Sequence, residues 1–167
     1  MEFFVESSDD SPACPRCSAM MHYRDSRKRI YKREGGRKDH LIIRRFYCRN
    51  CQSLHNELPD CVTPYKHYET ELIAGVIDGV VTSGDQDSED YPCERTISRW
   101  IQWFYMNRSN IEGHLRSIGF KILELGEDVL KMSSSLLETI RKNIPKWLEA
   151  ILRIIYNSGG FLASFHC

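Results

Sequence analysis

The period of apolar and polar residues changes along this chain, and the change divides it. From Cys14 to Cys51 the period is two. Tyr23 to Lys32 and Leu41 to Cys48 read as extended segments, and Glu34-Gly35-Gly36-Arg37 between them offers glycines for the positive φ of a hairpin turn. In the second segment Leu41, Ile43, Arg45 and Tyr47 alternate with Ile42, Arg44, Phe46 and Cys48, so both faces carry apolar groups with arginine interleaved. Leu54 to Tyr68, with two prolines, reads as a connector. Beyond it the spacing is helical. Leu72, Ile73, Val76, Ile77 and Val80 make one stripe on a helix starting near Tyr68 or Glu69 and running through Val81. Glu94 to Tyr105 is a second helix, with Ile97, Ile101 and Phe104 inward and Trp100 and Trp103 flanking. Ile111, Leu115, Ile118, Ile122, Leu125 and Val129 mark a third. Leu136 or Leu137, Ile140, Ile144, Trp147 or Leu148, Ile151 and Ile155 mark a fourth, in which Pro145 is a kink or a break. Asn157-Ser-Gly-Gly160 is a helix stop before a short apolar tail, Phe161 to Cys167.

The pattern predicts an α+β fold: a small β-hairpin followed by a mostly helical part. We divide it into a flexible arm (1–13), a ribbon (14–58), a helix-turn-helix-like region (59–108) and a C-terminal helical bundle (109–167).

The cysteines give the ribbon a chemistry. Cys14-Pro-Arg-Cys17 and Cys48-Arg-Asn-Cys51 stand 30 residues apart, one pair at each foot of the hairpin. Two Cys-x-x-Cys turns so placed direct four thiolates at one ion, the arrangement of a zinc ribbon, and a closed four-sulfur shell leaves no position for catalytic water. We therefore expect structural Zn2+ at Cys14, Cys17, Cys48 and Cys51. A redox pair of the thioredoxin kind lacks its βαβ setting here. Cys61 and Cys93 are expected as small apolar fillers, and His22, His40, His55 and His67 as surface or polar packing.

Charge sharpens the picture. The formal total is zero, yet His22 to Arg49 holds eleven lysines and arginines against Asp25, Glu34 and Asp39, a local excess of +8. A polyanion responds to that local field within about 8–10 Å, whatever the total. Arg44 and Arg45 are candidate phosphate contacts. The pair of helices before Phe104 has the order of a helix-turn-helix, in which Arg95, Thr96, Ser98, Arg99 and Gln102 would face bases and phosphates of double-stranded DNA. The linker between them is longer than the usual turn, and its Asp85, Asp87, Glu89 and Asp90 would repel phosphate. Composition, 41% apolar and 28% charged, is that of a globular protein. The absence of a long apolar run and of a basic, apolar leader gives the expectation of a cytoplasmic chain without membrane contact.

The order CPRC, basic hairpin, IIRRFYCRNCQSLHNELPD, PYKHY and RTISRWIQWF resembles a bacterial family catalogued as domain of unknown function 6431, found in Firmicutes and often near mobile elements. It is also similar to the zinc-ribbon and helix-turn-helix front ends of insertion-sequence transposases. The resemblance covers Cys14 to Phe104 and implies zinc at the four cysteines and DNA contact by the helical pair. It assigns no activity. A transposase nuclease would need three carboxylates on a sheet, and the last third shows no strand pattern, so no catalysis is expected. Three readings follow: a DNA-binding module or regulator of a mobile element; an adaptor binding another protein, or a second copy through the C-terminal helices; and RNA binding, with Tyr23, Tyr31, Phe46 and Tyr47 stacking on bases.

Overall fold

The computed structural model describes residues 2–4, 12–82, 84, 92–121 and 133–164. The architecture is α+β. Strands β1 (Glu2–Phe4), β2 (His22–Lys32), β3 (Lys38–Cys48) and β4 (Ser53–Asn56) form one sheet, and helices α1 (Thr70–Ile77), α2 (Glu94–Lys121), α3 (Leu136–Asn143) and α4 (Trp147–Asn157) follow. β3 is central. It pairs antiparallel with β2 along one edge, and along the other with β1 in parallel and β4 antiparallel. The hairpin turns through Glu34–Gly36, where Gly35 and Gly36 both take φ near +73°, as the paired glycines predict. Arg24 is an extra residue in β2, because Tyr23 and Asp25 face the adjacent Phe46 and Arg45.

Both faces of β3 bury side chains, at different ends. Leu41 and Ile43 pack with Tyr31 and Val62 on one face, and Phe46 and Cys48 pack with Cys14 and Met21 on the other. The helices bury a separate, larger core built on Ile73, Trp100, Phe104, Ile111, Leu148 and Ile155. No helix among the described residues is long and apolar enough to cross a membrane.

Helix boundaries depart from the periodic reading in three places. α1 stops at Ile77, before Val80. Gly79 takes φ +72°, its N–H reaches the Val76 carbonyl, and the Val80 N–H reaches the Gly75 carbonyl, the paired bonds of a Schellman stop. The second and third expected helices are one, because α2 runs unbroken across residues 105–111 and so across the expected boundary at 108/109. The stripe 97, 100, 104, 107, 111, 115 is continuous, but its fourth position is the polar Asn107. Asn107 is buried, bonds the Trp103 carbonyl, and both donates to and accepts from the backbone of Ala163. Trp100 and Trp103, expected to flank the inward side, lie inside the core, and Ile101, expected inward, is only half-buried. Ile122, Leu125 and Val129 lie outside the described residues. Pro145 is a break: Ile144 before it is extended and Lys146 after it is left-handed, which separates α3 from α4. The expected N-terminal arm contributes β1.

Two carboxylates set the helix junctions. Glu112 of α2 accepts from the Leu136 and Leu137 N–H groups and from the Ser135 hydroxyl, satisfying the first turn of α3. Burial pushes this carboxyl up, but those donors and Arg116 prevail and hold it below its ordinary value. Asp78, just past α1, accepts from the Trp147 indole N–H at 2.8 Å and pairs with Arg141.

The end of α4 rests on the first cysteine turn. Gly159 takes φ +81°, and a methyl group there would lie 2.3 Å from the Pro15 carbonyl oxygen. Arg153 of α4 also pairs with Asp60 of the connector. Gly159→Ala should therefore lower stability by more than about 1 kcal/mol, through both the left-handed backbone and the collision. Thermal unfolding followed by circular dichroism reads this; an unchanged midpoint would mean that Gly159 does not rest on Pro15.

Candidate metal centre and nucleic-acid interface

The two Cys-x-x-Cys turns share one backbone feature. The residue after each second cysteine takes a left-handed conformation, Ser18 at φ +58° and Gln52 at φ +54°. In the first turn the Cys14 carbonyl accepts from the Ser18 N–H at 2.8 Å, which folds Cys17 back toward Cys14. Each turn sits where a strand of the hairpin begins or ends: Cys17 a few residues before β2, Cys48 as the last residue of β3. The antiparallel pairing of β2 and β3 then brings the feet together.

The four thiol sulfurs all lie within 4.8 Å of one another. Cys14 and Cys51 are 3.6 Å apart, and Cys17 and Cys48 are 3.5 Å apart, so each close pair spans the two turns. Four sulfurs about 2.3 Å from one tetrahedral ion would be separated by roughly 3.8 Å. The cluster is therefore the right size for a single metal ion, and all four thiols are free of disulfides.

The surroundings place a polar group at each sulfur. The Asn50 side chain, with the Ala19 backbone, outweighs burial at Cys17 and brings its thiol down to about 6. The Ser53 hydroxyl leads in pulling Cys51 down. At Cys48 the backbone N–H of Cys51 pulls down, but burial and the sulfurs of Cys17 and Cys51 push the thiol up to about 11. Cys14 meets the Nε2 of His55 at 3.4 Å. Asn50, Ser53 and His55 were not anticipated from the sequence as partners of the sulfurs. For Ser53 and His55 the signal was alternation along β4, since both point to one side of the strand that leaves Cys51, whereas Asn50 lies within the second turn itself.

The expected phosphate contacts separate into two groups. Arg44 is clamped by Glu57, which accepts from its side chain at 2.9 and 3.2 Å and from its backbone N–H at 3.1 Å, and its guanidinium lies over the Phe46 ring. Arg45 makes a two-pronged pair with Asp25, whose carboxyl it holds below the usual range. Both arginines thus fasten the sheet. Arg24, Arg27, Lys28, Lys38 and Arg49 are exposed cations of the ribbon.

On α2, Arg95, Ser98, Arg99 and Gln102 are exposed at i, i+3, i+4 and i+7, opposite the buried Ile97, Trp100 and Phe104. Thr96 is half-buried and its hydroxyl meets the Cys93 sulfur at 3.3 Å, while Cys93, expected as an apolar filler, is exposed. Cys61 is half-buried, and burial pushes its thiol up. The sheet and the helices meet through the connector: Lys66 lies over the Trp103 ring at 4.3 Å, and Tyr68 packs edge-on against Trp100. A cavity of about 660 Å³ remains between the ribbon and α4, flanked by the Arg44–Glu57 and Asp60–Arg153 pairs.

A family model described as a domain of unknown function (DUF6431) matches residues 14–100, just over half the chain, from the first cysteine to Trp100 of α2. No curated protein and no solved structure matches the chain.

Ser18 and Gln52 test the cysteine turns directly. A non-glycine residue in the left-handed region carries roughly 1–2 kcal/mol of strain, so Ser18→Gly or Gln52→Gly should leave stability equal or up to about 1 kcal/mol higher. Denaturant unfolding of the two variants beside the parent measures it. A clear loss at both positions would mean that the turns take another shape.

Proposed function

The chain belongs to the DUF6431 family, and from that premise we propose that it is a zinc-dependent DNA-binding protein, a transposase-like or mobile-element regulator without catalysis of its own. The cysteine cluster is the staple. Zinc suits four thiolates in a closed shell, and a hairpin this small has little core to hold it otherwise. Zinc bound there would organise the ribbon, with Cys14, Cys17, Cys48 and Cys51 as its ligands.

The observation that carries the DNA reading is the free side of α2. Arg95, Ser98, Arg99 and Gln102 stand exposed on a helix whose opposite side is locked into the core by Trp100 and Phe104. A rigid helix presenting donors along that row, with Glu94 at its edge, suits the major groove, where a two-pronged arginine distinguishes guanine by about 1–3 kcal/mol. The ribbon supplies sequence-blind attraction. Because Arg44 and Arg45 are occupied by Glu57 and Asp25, we assign phosphate contact chiefly to Arg24, Arg27 and Lys38 on the exposed hairpin.

A second reading has its own support. Tyr105 and Met106, further along α2, are each 61% exposed and would suit a protein partner, making the chain an adaptor.

Fluorescence anisotropy on labelled duplexes across a salt series tests the proposal. Replacing Arg24, Arg27 and Lys38 with Ala should weaken all duplexes alike and flatten the salt slope by about 0.9 for each phosphate no longer neutralised. Arg44→Ala with Arg45→Ala should instead lower thermal stability, since Glu57 loses the arginine it clamps and Asp25 keeps Arg24 at 4.0 Å in place of its two-pronged pair. With a site selected from a random library, Arg99→Ala should cost about 1–3 kcal/mol on that site and much less on random duplex. Equal losses on both would remove α2 as the reading helix, and a parent chain with no duplex affinity would put the adaptor reading ahead.

A further inference from the structure

Three of the four sulfurs take their donors from within the cysteine turns or just beyond them. Cys17 is served by Asn50 and the Ala19 backbone, Cys48 by the backbone of Cys51 and Asn50, and Cys51 by Ser53. Cys14 differs. Its side-chain partner is His55, 41 residues along the chain, whose Nε2 lies 3.4 Å from the Cys14 sulfur. His55 is not itself one of the residues whose ligand atoms fall mutually within 4.8 Å, so it stands outside the four-sulfur shell. β4 holds it there: His55 pairs with Phe46 in register, two residues from the Cys48–Ser53 pair.

We propose that His55 is the outer hydrogen-bond donor to the Cys14 thiolate, a positioning residue that orients this ligand and offsets its charge when zinc is bound. The inference rests on the zinc reading above. A zinc ion with four thiolates carries a net negative charge, and N–H groups directed at sulfur disperse it. A metal-bound thiolate offers only lone pairs, so Nε2 must carry the hydrogen, which fixes the imidazole tautomer. The role also explains why β4 continues past Cys51 at all. Its short run of strand carries a side chain from the second turn across to the ligand supplied by the first, which ties the two halves of the site together from outside the metal.

The test is chelator competition for zinc by the full chain, with cobalt(II) substituted as a spectroscopic reporter of the thiolate shell. His55→Ala should weaken zinc binding about 10–100-fold, the range for loss of an outer-shell partner, and shift the sulfur-to-cobalt charge-transfer band. His55→Gln, whose amide can donate in place of the imidazole, should recover most of both. If His55→Ala holds zinc as tightly as the parent with an unchanged cobalt spectrum, the inference is wrong. It is equally overturned if Ala and Gln lose affinity alike while the spectrum stays fixed, since His55 would then only pack. If the parent chain binds no metal, the zinc reading itself fails, and the two failures are told apart by that control.

Discussion

Four sulfurs at the feet of one hairpin are the constraint on which the rest of the structure depends. The sheet has two small clusters of buried side chains, one at each end of β3, and the cluster nearer the turns consists largely of the cysteines with Met21 and Phe46. Without a metal, closing the loop from Cys17 to Cys48 would rest on strand pairing and these few side chains. With one, the two turns are held at a fixed separation, and their left-handed residues, Ser18 and Gln52, are kept in place. The donors around the sulfurs then lower the cost of gathering negative charge at one point.

From that point order passes to the helices by direct packing. Gly159 at the end of α4 lies against Pro15, inside the first cysteine turn, and Arg153 reaches Asp60. On the other side Lys66 lies over the Trp103 ring and Tyr68 packs edge-on against Trp100 of α2, and Asp78 fastens α1 to Trp147 and Arg141. The exposed row on α2 is thus held relative to the exposed cations of β2 by packing rather than by a free linker. On the proposed DNA-binding reading, fixed spacing between the two surfaces lowers the conformational freedom lost on meeting phosphates and base edges of one duplex.

Much of this was legible in the sequence, for reasons that can be named. Period two, a glycine-rich turn and paired Cys-x-x-Cys motifs are local signals, and they located the hairpin and the cysteine cluster. The helix stop at Asn157 to Gly160 was legible for the same reason, while Pro145 read as either a kink or a break and the structure makes it a break. What escaped depends on partners distant in sequence. Arg44 and Arg45 read as phosphate contacts because Glu57 and Asp25 are not their neighbours along the chain. Asn107 hid the continuity of α2, since a buried asparagine satisfied by Ala163 looks polar in a sequence. Gly79 ended α1 one turn before the apolar stripe did, through backbone bonds that periodicity does not register. His55 read as one packing histidine among several, and only the register of β4 places it beside Cys14.

Zinc at the four cysteines is the claim on which the others rest. Native mass spectrometry of the intact chain, purified without added metal and compared before and after a strong chelator, tests it most directly. One zinc per folded chain is predicted, with the compact charge states and the strand signal in circular dichroism both lost on chelation. A compact chain that carries no metal and keeps its strand signal would contradict it.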